Sequence, residues 1–228
     1  MRRYGAARIP AGYLSYWAQA QQWELAVWID MDKPGDRFEQ HRRWFQDYLP
    51  LKGLRLGHVV ELGCGPYTQS IPMIKAVGHR TLSSLTLVDP LLDMYLQKVK
   101  DVPYRDESRT MFDRHTVLVR ADAESAGDIL QPVDTVVMMN VIEHCTNGPR
   151  ILNTLWKLLK PGGLLVFHEY DYSDSGFIWD KGHPIKLKAA TYNLLLQHFE
   201  VIFRRDFDHE GDYSHTMGVY FIGRKPAA

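Results

Sequence analysis

Apolar runs alternate with amphipathic or polar segments along most of the chain. Five short apolar runs are each followed by a turn, a helical pattern or a polar loop, and two further runs lie near the C-terminus. Continuous apolar runs of this length are typical of strands buried on both faces of a parallel sheet. The pattern predicts an α/β fold, a three-layer, doubly wound sheet of seven strands that is mainly parallel and ends in an antiparallel hairpin.

The predicted elements follow from this pattern and from the turn residues between them. The predicted strands span residues 59–62, 84–88, 115–119, 133–139, 164–168, 199–207 and 216–224. The predicted helices span residues 13–29, 36–48, 70–77, 91–99 and 148–160, and Pro184 begins one more. Asp36 is the expected N-cap of the second helix, and the glycines at 162 and 163 are expected to end the fifth.

The first 55 residues precede the first predicted strand and are rich in aromatic side chains. We expect them to form a helical cap, with residues 56–228 forming the main domain. Trp17, Trp23 and Trp28 lie on the first predicted helix. Either these rings only pack the helices against the sheet, since aromatic side chains bury large areas, or they line a substrate pocket beneath a lid.

The chain is organised around a glycine-rich turn within residues 58–70. A short apolar run ends there at Gly63 and Gly65, which permit backbone conformations that a side chain would forbid. A ligand can approach the backbone at such a first strand-to-helix turn. A dinucleotide fingerprint would place a third glycine at position 68, which is Thr68. Glu61, two residues before Gly63, suits a ligand with an ammonium group, so the residues favour S-adenosylmethionine over a dinucleotide.

Acidic residues follow the second and third predicted strands. Asp89 ends the second strand, 24 residues after Gly65, where a carboxylate can accept hydrogen bonds from ribose hydroxyls. The alternative role for Asp89 is to cap the helix that follows. Asp122 comes directly after the third strand, where it is placed to bind the exocyclic amine of adenine. Both acids would lie at the same edge of a parallel sheet.

Composition limits the classes of partner. The chain has 228 residues, 45% of them hydrophobic, which is enough for one substantial core. Lys plus Arg and Asp plus Glu number 27 each, so no net charge attracts nucleic acid or an anionic membrane, and we expect neither as a partner. Cys64 and Cys145 suggest no disulfide framework. The first residues resemble neither a signal peptide nor a membrane span, so we expect a cytoplasmic protein.

Four motifs, in the right order and spacing, resemble the class I S-adenosylmethionine-dependent methyltransferases, whose fold is Rossmann-like. They are Val-Val-Glu-Leu-Gly-Cys-Gly-Pro at 59–66, Leu-Val-Asp-Pro at 87–90, Asp-Thr-Val-Val-Met-Met-Asn-Val-Ile-Glu-His at 134–144 and Leu-Leu-Lys-Pro-Gly-Gly-Leu-Leu-Val-Phe at 158–167. The resemblance covers residues 56–225. Tyr67 departs from it, because many members have a glycine there.

The resemblance implies S-adenosylmethionine as cofactor, S-adenosylhomocysteine as product, and a set of residues around them. The glycine turn would pass beside the methionine part, Asp89 would bind the ribose, and Asn140 would offer its carbonyl to the ammonium group. The implied cofactor residues are Glu61, Gly63, Cys64, Gly65, Pro66, Asp89, Pro90, Leu91, Asp122, Ala123, Asn140 and Glu143. Glu61 would hold the turn or reach the ammonium group through water.

Methyl transfer to an alcohol calls for a group that removes the hydroxyl proton. The candidates are polar residues expected near the ends of the fourth and fifth strands, namely His144, His168, Glu169 and His183, with Asp171 beside them. For each one, a packing or capping role is the alternative. Tyr170 lies in the loop after the fifth strand, and loops at this edge usually carry substrate recognition, so we expect it at the substrate together with the three tryptophans.

Two other kinds of site are weighed against these. Histidines and acids at 168–183 and 209–215 supply metal-ligand types, but no pair has the fixed spacing of a metal motif, so we predict no metal site. Arg42–Arg43 and Arg204–Arg205 either bind a phosphate or carboxylate of the acceptor or lie on solvated surfaces.

The sequence therefore predicts a methyltransferase for a small-molecule or saccharide-type acceptor, at oxygen rather than nitrogen. One alternative is an NAD(P)-dependent oxidoreductase on a similar sheet. The other is a non-catalytic scaffold that binds the cofactor and activates a partner subunit, since fold alone does not fix function. Acceptor identity and oligomeric state are left open.

Overall fold

The structure, a computed structural model, describes residues 11–30, 37–105, 115–172, 182–208 and 217–227. Its seven strands are β1 (Gly57–Leu62), β2 (Leu82–Val88), β3 (His115–Val119), β4 (Val133–Met139), β5 (Leu159–Asp171), β6 (Glu200–Asp208) and β7 (Met217–Arg224). Its α-helices are α1 (Ala11–Asp30), α2 (Arg37–Trp44), α3 (Ser70–Val77), α4 (Leu92–Lys98), α5 (Ala126–Ile129), α6 (Gly148–Leu158) and α7 (Ala189–Leu196). Three-residue 3₁₀ turns lie at His79–Thr81 and Ile142–His144, and a longer one at Gln46–Leu51.

The strands form one sheet in the order β3-β2-β1-β4-β5-β7-β6. The five strands from β3 to β5 are parallel, and β7 pairs antiparallel with both β5 and β6. This confirms the predicted Rossmann-like sheet with its C-terminal antiparallel hairpin. The chain order reverses between β1 and β4, and a sheet of this kind opens a crevice beyond the carboxyl ends of the strands at that point.

Each face of the sheet carries its own core, because alternate strand residues point to opposite sides. On β5, Leu164 and Val166 pack with residues of α1 to α4, whereas Leu165 and Phe167 pack with residues of α6 and α7. The fold therefore has three layers.

No helix in the described ranges combines the length and the apolar character that crossing a membrane requires.

The second predicted helix, residues 36–48, is wrong in its second half. The α-helix ends at Trp44, and Gln46, Asp47 and Tyr48 all have positive φ angles, of 51°, 55° and 55°. The chain turns there because Tyr48 enters the core with no exposed surface. The predicted N-cap Asp36 lies outside the described residues.

The end of α6 and the start of α7 also differ from prediction. The helix α6 ends at Leu158 with an extended C-cap at Leu159, not at a glycine, because Leu159 already pairs with Val133 of β4. The last predicted helix begins at Ala189 instead of Pro184. The Asp171 carboxylate fixes that start by accepting a hydrogen bond of 2.8 Å from the Ala189 amide.

Candidate functional site

A cavity opens beyond the carboxyl ends of β1, β2, β3 and β4 and is covered by α1. It encloses about 910 Å³, counting the solvent space at its mouth. The lining segments lie at or just after the ends of the four strands, at 63–69, 89–90, 122–124, 139–141 and 144–145, together with Tyr95 of α4. From the helical cap, the lining residues are Trp17, Gln21, Glu24, Trp28 and His41. The chain folds this way because parallel strands place all their carboxyl ends at one edge.

The glycine turn brings backbone to the cavity wall. Gly63 has a φ of 64°, and a Cβ atom there would lie 2.6 Å from the Val141 side chain. Gly65 has a φ of 55°, but a Cβ atom there would meet nothing within 4 Å. Gly63 is therefore needed for packing between two strand ends, whereas Gly65 leaves open space beside its backbone, as a closely approaching ligand requires.

Asp89 lines the cavity and is held by two backbone amides. Its Oδ2 accepts a hydrogen bond of 3.0 Å from Gly65, and its Oδ1 accepts one of 2.8 Å from Leu91. Burial raises the pKa of Asp89 to about 6, although the two amide hydrogen bonds act in the opposite direction. The carboxylate thus braces the turn at the start of α4 and also faces the cavity. Leu91 does not line the cavity; Pro90 does.

Glu61 lies beneath the glycine turn and does not line the cavity. Its carboxylate accepts hydrogen bonds from the Thr68 hydroxyl, the Gln69 amide at 2.7 Å and the Ser70 amide at 3.0 Å. Burial raises its pKa. These contacts correspond to the first of its two predicted roles, holding the turn.

The segment after β3 contributes Asp122, Ala123 and Glu124 to the cavity wall. Asp122 accepts a hydrogen bond of 2.8 Å from the Ser125 amide. Glu124 is buried and accepts hydrogen bonds from the amides of Thr146 and Asn147 at 2.6 and 3.1 Å. Glu124 was not predicted as a site residue, although it lies in the same segment after the third strand as Asp122.

Asn140, at the end of β4, lines the cavity and contains a buried acceptor without a partner in the described part of the chain. It has a φ of 58°, a conformation that asparagine tolerates. Its Oδ1 is buried and has no hydrogen-bond partner among the described residues. A buried acceptor without a partner is costly, so a donor group in the cavity, such as an ammonium, would relieve it. The chain's own residues therefore fit the amino-acid part of S-adenosylmethionine.

Two of the predicted proton acceptors, His168 and Glu169, do not line the cavity. Glu169 is buried, and its Oε1 accepts hydrogen bonds from the amides of Val141 at 2.8 Å and Ile142 at 2.9 Å, which fixes the segment after β4. Burial raises the pKa of Glu169 to about 7. His168 is fully buried, with its ring 4.9 Å from that of His41 and 4.3 Å from that of Tyr220.

The other two predicted proton acceptors come together at the end of β4. Glu143, His144 and His183 form a compact group, hereafter the Glu143 cluster, whose potential ligand atoms lie within 4.8 Å of one another. Glu143 Oε1 is 3.7 Å from His144 Nε2 and 3.6 Å from His183 Nε2. Tyr172 donates its hydroxyl to Glu143 Oε2. Of the three cluster residues, only His144 lines the cavity.

Helix α1 is fixed to this strand end by side-chain hydrogen bonds. Trp17 Nε1 donates to the His144 carbonyl over 3.0 Å, and Gln21 Nε2 donates to the same oxygen over 3.3 Å. Further along, Trp28 Nε1 donates to Glu24 Oε1 over 2.6 Å. Residues 17, 21, 24 and 28 share one helix face, a spacing from which Gln21 and Glu24 were predictable.

Not all the predicted substrate residues reach the cavity. Trp17 and Trp28 line it, whereas Trp23 is 40% exposed and packs edge-on against His183. Tyr170 packs against His168 and does not line the cavity. His41, which lines the cavity from α2, was not predicted, because the polar residues of this helix are typical of a solvated face.

The cavity wall is acidic. Glu24, Asp89, Asp122 and Glu124 line it, and no lysine or arginine does so among the described residues. The arginines that had been considered for anion binding lie elsewhere: Arg42 pairs with Glu39 and Asp47, Arg204 pairs with Asp206, and Arg205 lies over the Trp44 ring. Both thiols at the wall, Cys64 and Cys145, have raised pKa values because they are buried, so they are protonated at neutral pH.

Comparison with known proteins gives a family match and a set of related folds. A family model described as a methyltransferase domain matches residues 34–210, more than three quarters of the chain. No curated protein sequence matches the chain.

Three solved structures illustrate the related folds. The N-methyltransferase NodS from Bradyrhizobium japonicum WM9, in complex with S-adenosyl-L-homocysteine, is 16% identical with a TM-score of 0.65, over 91% of this chain and 98% of that one. The [4+2]-cyclase SpnF is 16% identical with a TM-score of 0.64, over 99% and 100%. A Burkholderia thailandensis 1,6-didemethyltoxoflavin-N1-methyltransferase is 14% identical with a TM-score of 0.58, over 98% and 93%. At these identities the likeness concerns the fold.

Proposed function

This chain belongs to the methyltransferase domain family and uses S-adenosylmethionine, and we propose that it methylates a hydroxyl oxygen of a small, uncharged acceptor such as a saccharide-type metabolite. When bound, the cofactor supplies a methyl group already activated on a positively charged sulfur. The tasks left to the protein are therefore to align the acceptor, to exclude water and to assist the loss of the hydroxyl proton.

The cofactor half of the proposed site consists of the glycine turn, Asp89, Asp122 and Asn140. The open space at Gly65 and the unsatisfied Oδ1 of Asn140 support this assignment. Asp89 would accept hydrogen bonds from ribose hydroxyls while its amide partners keep it in place. Glu61 and Glu169 act at a distance, each by holding the backbone of a lining segment.

The observation that carries the acceptor proposal is the acidic wall: besides Asp89 and Asp122, which the cofactor would approach, it includes Glu24 and Glu124 and no described lysine or arginine. A phosphate or carboxylate on the acceptor would be repelled by like charge and would meet no described lysine or arginine there. An amine would be held as an ammonium ion, because nearby carboxylates favour its protonated form, and an ammonium nitrogen has no lone pair to accept a methyl group. A hydroxyl carries neither penalty.

The residues within 1–55 form, in this proposal, the cap that selects the acceptor. Trp17, Gln21, Glu24, Trp28 and His41 supply apolar rings and hydrogen-bonding groups, which is the mixture that binds a polyhydroxylated molecule. The group that assists proton removal is the Glu143 cluster, through His144 at the cavity wall. Residues 56–228 hold the cofactor.

Labelled methyl transfer tests the proposal. Transfer from methyl-labelled S-adenosylmethionine is measured to matched acceptors that differ only in one group: a neutral polyol, its amino analogue, and its carboxylate and phosphate analogues. We expect transfer to the neutral compound, and at least a 100-fold loss of kcat in His144→Gln with unchanged cofactor affinity, because proton removal typically contributes about 10²- to 10⁴-fold. Transfer mainly to the amine or to an anionic analogue contradicts the proposal, as does full activity of His144→Gln.

A further inference from the structure

We propose that the Glu143 cluster is a binding site for a divalent cation of the Zn²⁺, Co²⁺ or Mn²⁺ type. The proposal rests on the proposed function only for the use of the ion, since binding itself is independent of the acceptor. The sequence did not predict such a site, because Glu143 and His144 are adjacent and His183 comes from a distant segment. The fold brings the three residues together beyond β4 and β5.

The spacing of the three ligand atoms suits a metal ion. At bond lengths of about 2.1 Å, two ligands of a tetrahedral ion lie about 3.4 Å apart. Glu143 Oε1 lies 3.7 Å from His144 Nε2 and 3.6 Å from His183 Nε2, too far for direct hydrogen bonds. Both nitrogens thus face the same carboxylate oxygen at nearly the distance that a shared ion would impose.

The neighbours of these ligands orient them toward one point. His144 Nδ1 lies 3.0 Å from the Gly182 carbonyl, and since a carbonyl can only accept, Nδ1 carries the proton and Nε2 presents its lone pair. Tyr172 donates its hydroxyl to Glu143 Oε2, whereas Oε1 is the oxygen that lies 3.7 and 3.6 Å from the two imidazole nitrogens. Metal-binding histidines and carboxylates are commonly held in this way by hydrogen bonds from their other atoms.

Burial and charge point to the same conclusion. Glu143 is 2% exposed, and a divalent cation would offset the cost of burying its charge. His144 and His183 retain 18% and 27% of their side-chain exposure, so both rings are partly open to solvent. Two imidazoles and one carboxylate favour zinc, cobalt or manganese over magnesium and calcium, which prefer oxygen ligands.

The position of the site suggests what the ion would do. His144 lines the cavity, so an open coordination position there would lie at the acceptor half and lower the pKa of a bound hydroxyl. In the loaded protein the ion would take over the assistance to proton loss, because His144 Nε2 would be bound to it. The close approach of Gly182 to Trp23, where a Cβ atom would lie 2.3 Å from the ring, holds the segment that carries His183 against α1. The ion would join this segment to the end of β4.

The test titrates metal-free protein with Co²⁺ and follows its visible absorption, with Zn²⁺ competition and thermal unfolding as second readouts. We expect one Co²⁺ per chain, displaced by Zn²⁺. The hydrogen-bond partners of metal ligands alone contribute about 10- to 100-fold to affinity, so Tyr172→Phe should weaken binding by that factor and His183→Gln by at least about 100-fold. Glu143→Gln should match His183→Gln, with circular dichroism to check that each variant is folded.

Two controls make the result decisive. His115→Gln changes an exposed histidine on β3 and should leave binding unchanged. A double variant, His209→Ala with His215→Ala, removes the other histidines near acidic residues in the sequence. Absence of binding, binding that survives in His183→Gln, or binding lost in the double variant overturns the proposal. Such a failure leaves the proposed function intact, because His144→Gln and the acceptor series test methyl transfer separately.

Discussion

Gly65 donates its backbone N–H to Asp89 Oδ2 over 3.0 Å, and this hydrogen bond joins the glycine turn after β1 to the end of β2. A bound cofactor would approach both residues with its nucleoside and methionine parts. Because Asp89 is buried and its second oxygen is held by Leu91, the carboxylate is already positioned before a ligand arrives. Preorganisation of this kind reduces the entropy lost on binding.

Cofactor affinity should therefore depend on pH through Asp89. Burial raises its pKa to about 6, and only the ionised form accepts hydrogen bonds with both oxygens. As the pH falls below 6, binding must displace a proton, so affinity for S-adenosylmethionine should fall by up to about tenfold per pH unit. Calorimetry at pH 5 to 8 in buffers of different ionisation enthalpy measures both affinity and proton release. Asp89→Asn should bind weakly with a flat profile; an equally steep profile in that variant would contradict the assignment.

The raised pKa of Asp89 also makes the stability of the ligand-free protein depend on pH. The folded state holds a proton on Asp89 up to about pH 6, whereas the unfolded chain releases it near 3.8. This residue's contribution to stability therefore increases as the pH falls from about 6 toward 4 and is lost as the pH rises through 6. Cofactor binding and apo stability should thus respond to Asp89 in opposite directions.

Removal of the Glu61 carboxylate should destabilise the glycine turn. Glu61→Ala leaves the Gln69 amide without its acceptor and the Ser70 amide with only its longer hydrogen bond of 3.3 Å to Thr68 Oγ1, and each such loss costs about 1–3 kcal/mol. We expect a loss of about 2–5 kcal/mol in the free energy of unfolding, measured by urea denaturation. Glu200→Ala, at an exposed position that begins β6, is the control and should change little. Equal stabilities for the two variants would show that Glu61 does not hold the turn.

The hydrogen bond from Trp17 to the His144 carbonyl should matter for the acceptor more than for the cofactor. Trp17→Phe keeps an aromatic ring at the cavity wall but removes the N–H that fixes α1 to the end of β4. The hydrogen bond is worth about 1 kcal/mol, so we expect KM for the acceptor to rise about fivefold, with little change in cofactor affinity. Trp156→Phe, on α6 and outside the cavity lining, is the matched control. A fall in cofactor affinity as large as the rise in KM would contradict this division of the site.

Gly65→Ala should weaken cofactor binding while destabilising the fold no more than a matched glycine substitution elsewhere. Gly65 and Gly53 both have positive φ angles, of 55° and 83°, and a Cβ atom at either would meet nothing within 4 Å. Each alanine should cost about 1 kcal/mol of backbone strain, but only the Cβ at 65 would enter the cavity. We expect similar melting temperatures for the two variants and cofactor binding at least tenfold weaker in Gly65→Ala alone. Equal affinities would place the ligand away from the turn.

The sequence predicted those parts of the site that depend on strand ends. A strand followed by a glycine or an acid can be located by pattern alone, and parallel strands bring such ends together, so Gly63, Gly65, Asp89, Asp122 and Asn140 all line the cavity. Tertiary packing decided the rest. His168 and Glu169 are one residue apart on β5 and therefore point to opposite faces, and both are buried; neither lines the cavity.

Residues from the cap were harder to find for the same reason. His41 lies in an eight-residue helix of mostly polar composition, and only its packing against Tyr220, with 3.1 Å between His41 Nδ1 and the Tyr220 hydroxyl, brings it to the cavity. Gln21 and Glu24 lie at helical spacing from Trp17 and Trp28, so the sequence contains the signal for that face, but aromatic residues all round the helix make it less distinct. The Glu143 cluster depends on His183, which the sequence placed near the same strand ends as His144 but did not place in contact with Glu143.

Calorimetric titration of S-adenosylmethionine and S-adenosylhomocysteine into the wild type, Asp89→Ala and Asp93→Ala tests the central claim most directly. Asp93 is the matched control, because it is a half-exposed acid of α4 that pairs with Arg120 outside the cavity. We predict binding of both ligands to one site, a loss of about 100-fold or more in Asp89→Ala, equivalent to about 3 kcal/mol, and wild-type affinity in Asp93→Ala. Equal affinities of the two variants, or no binding of either ligand to folded wild-type protein, would contradict the account.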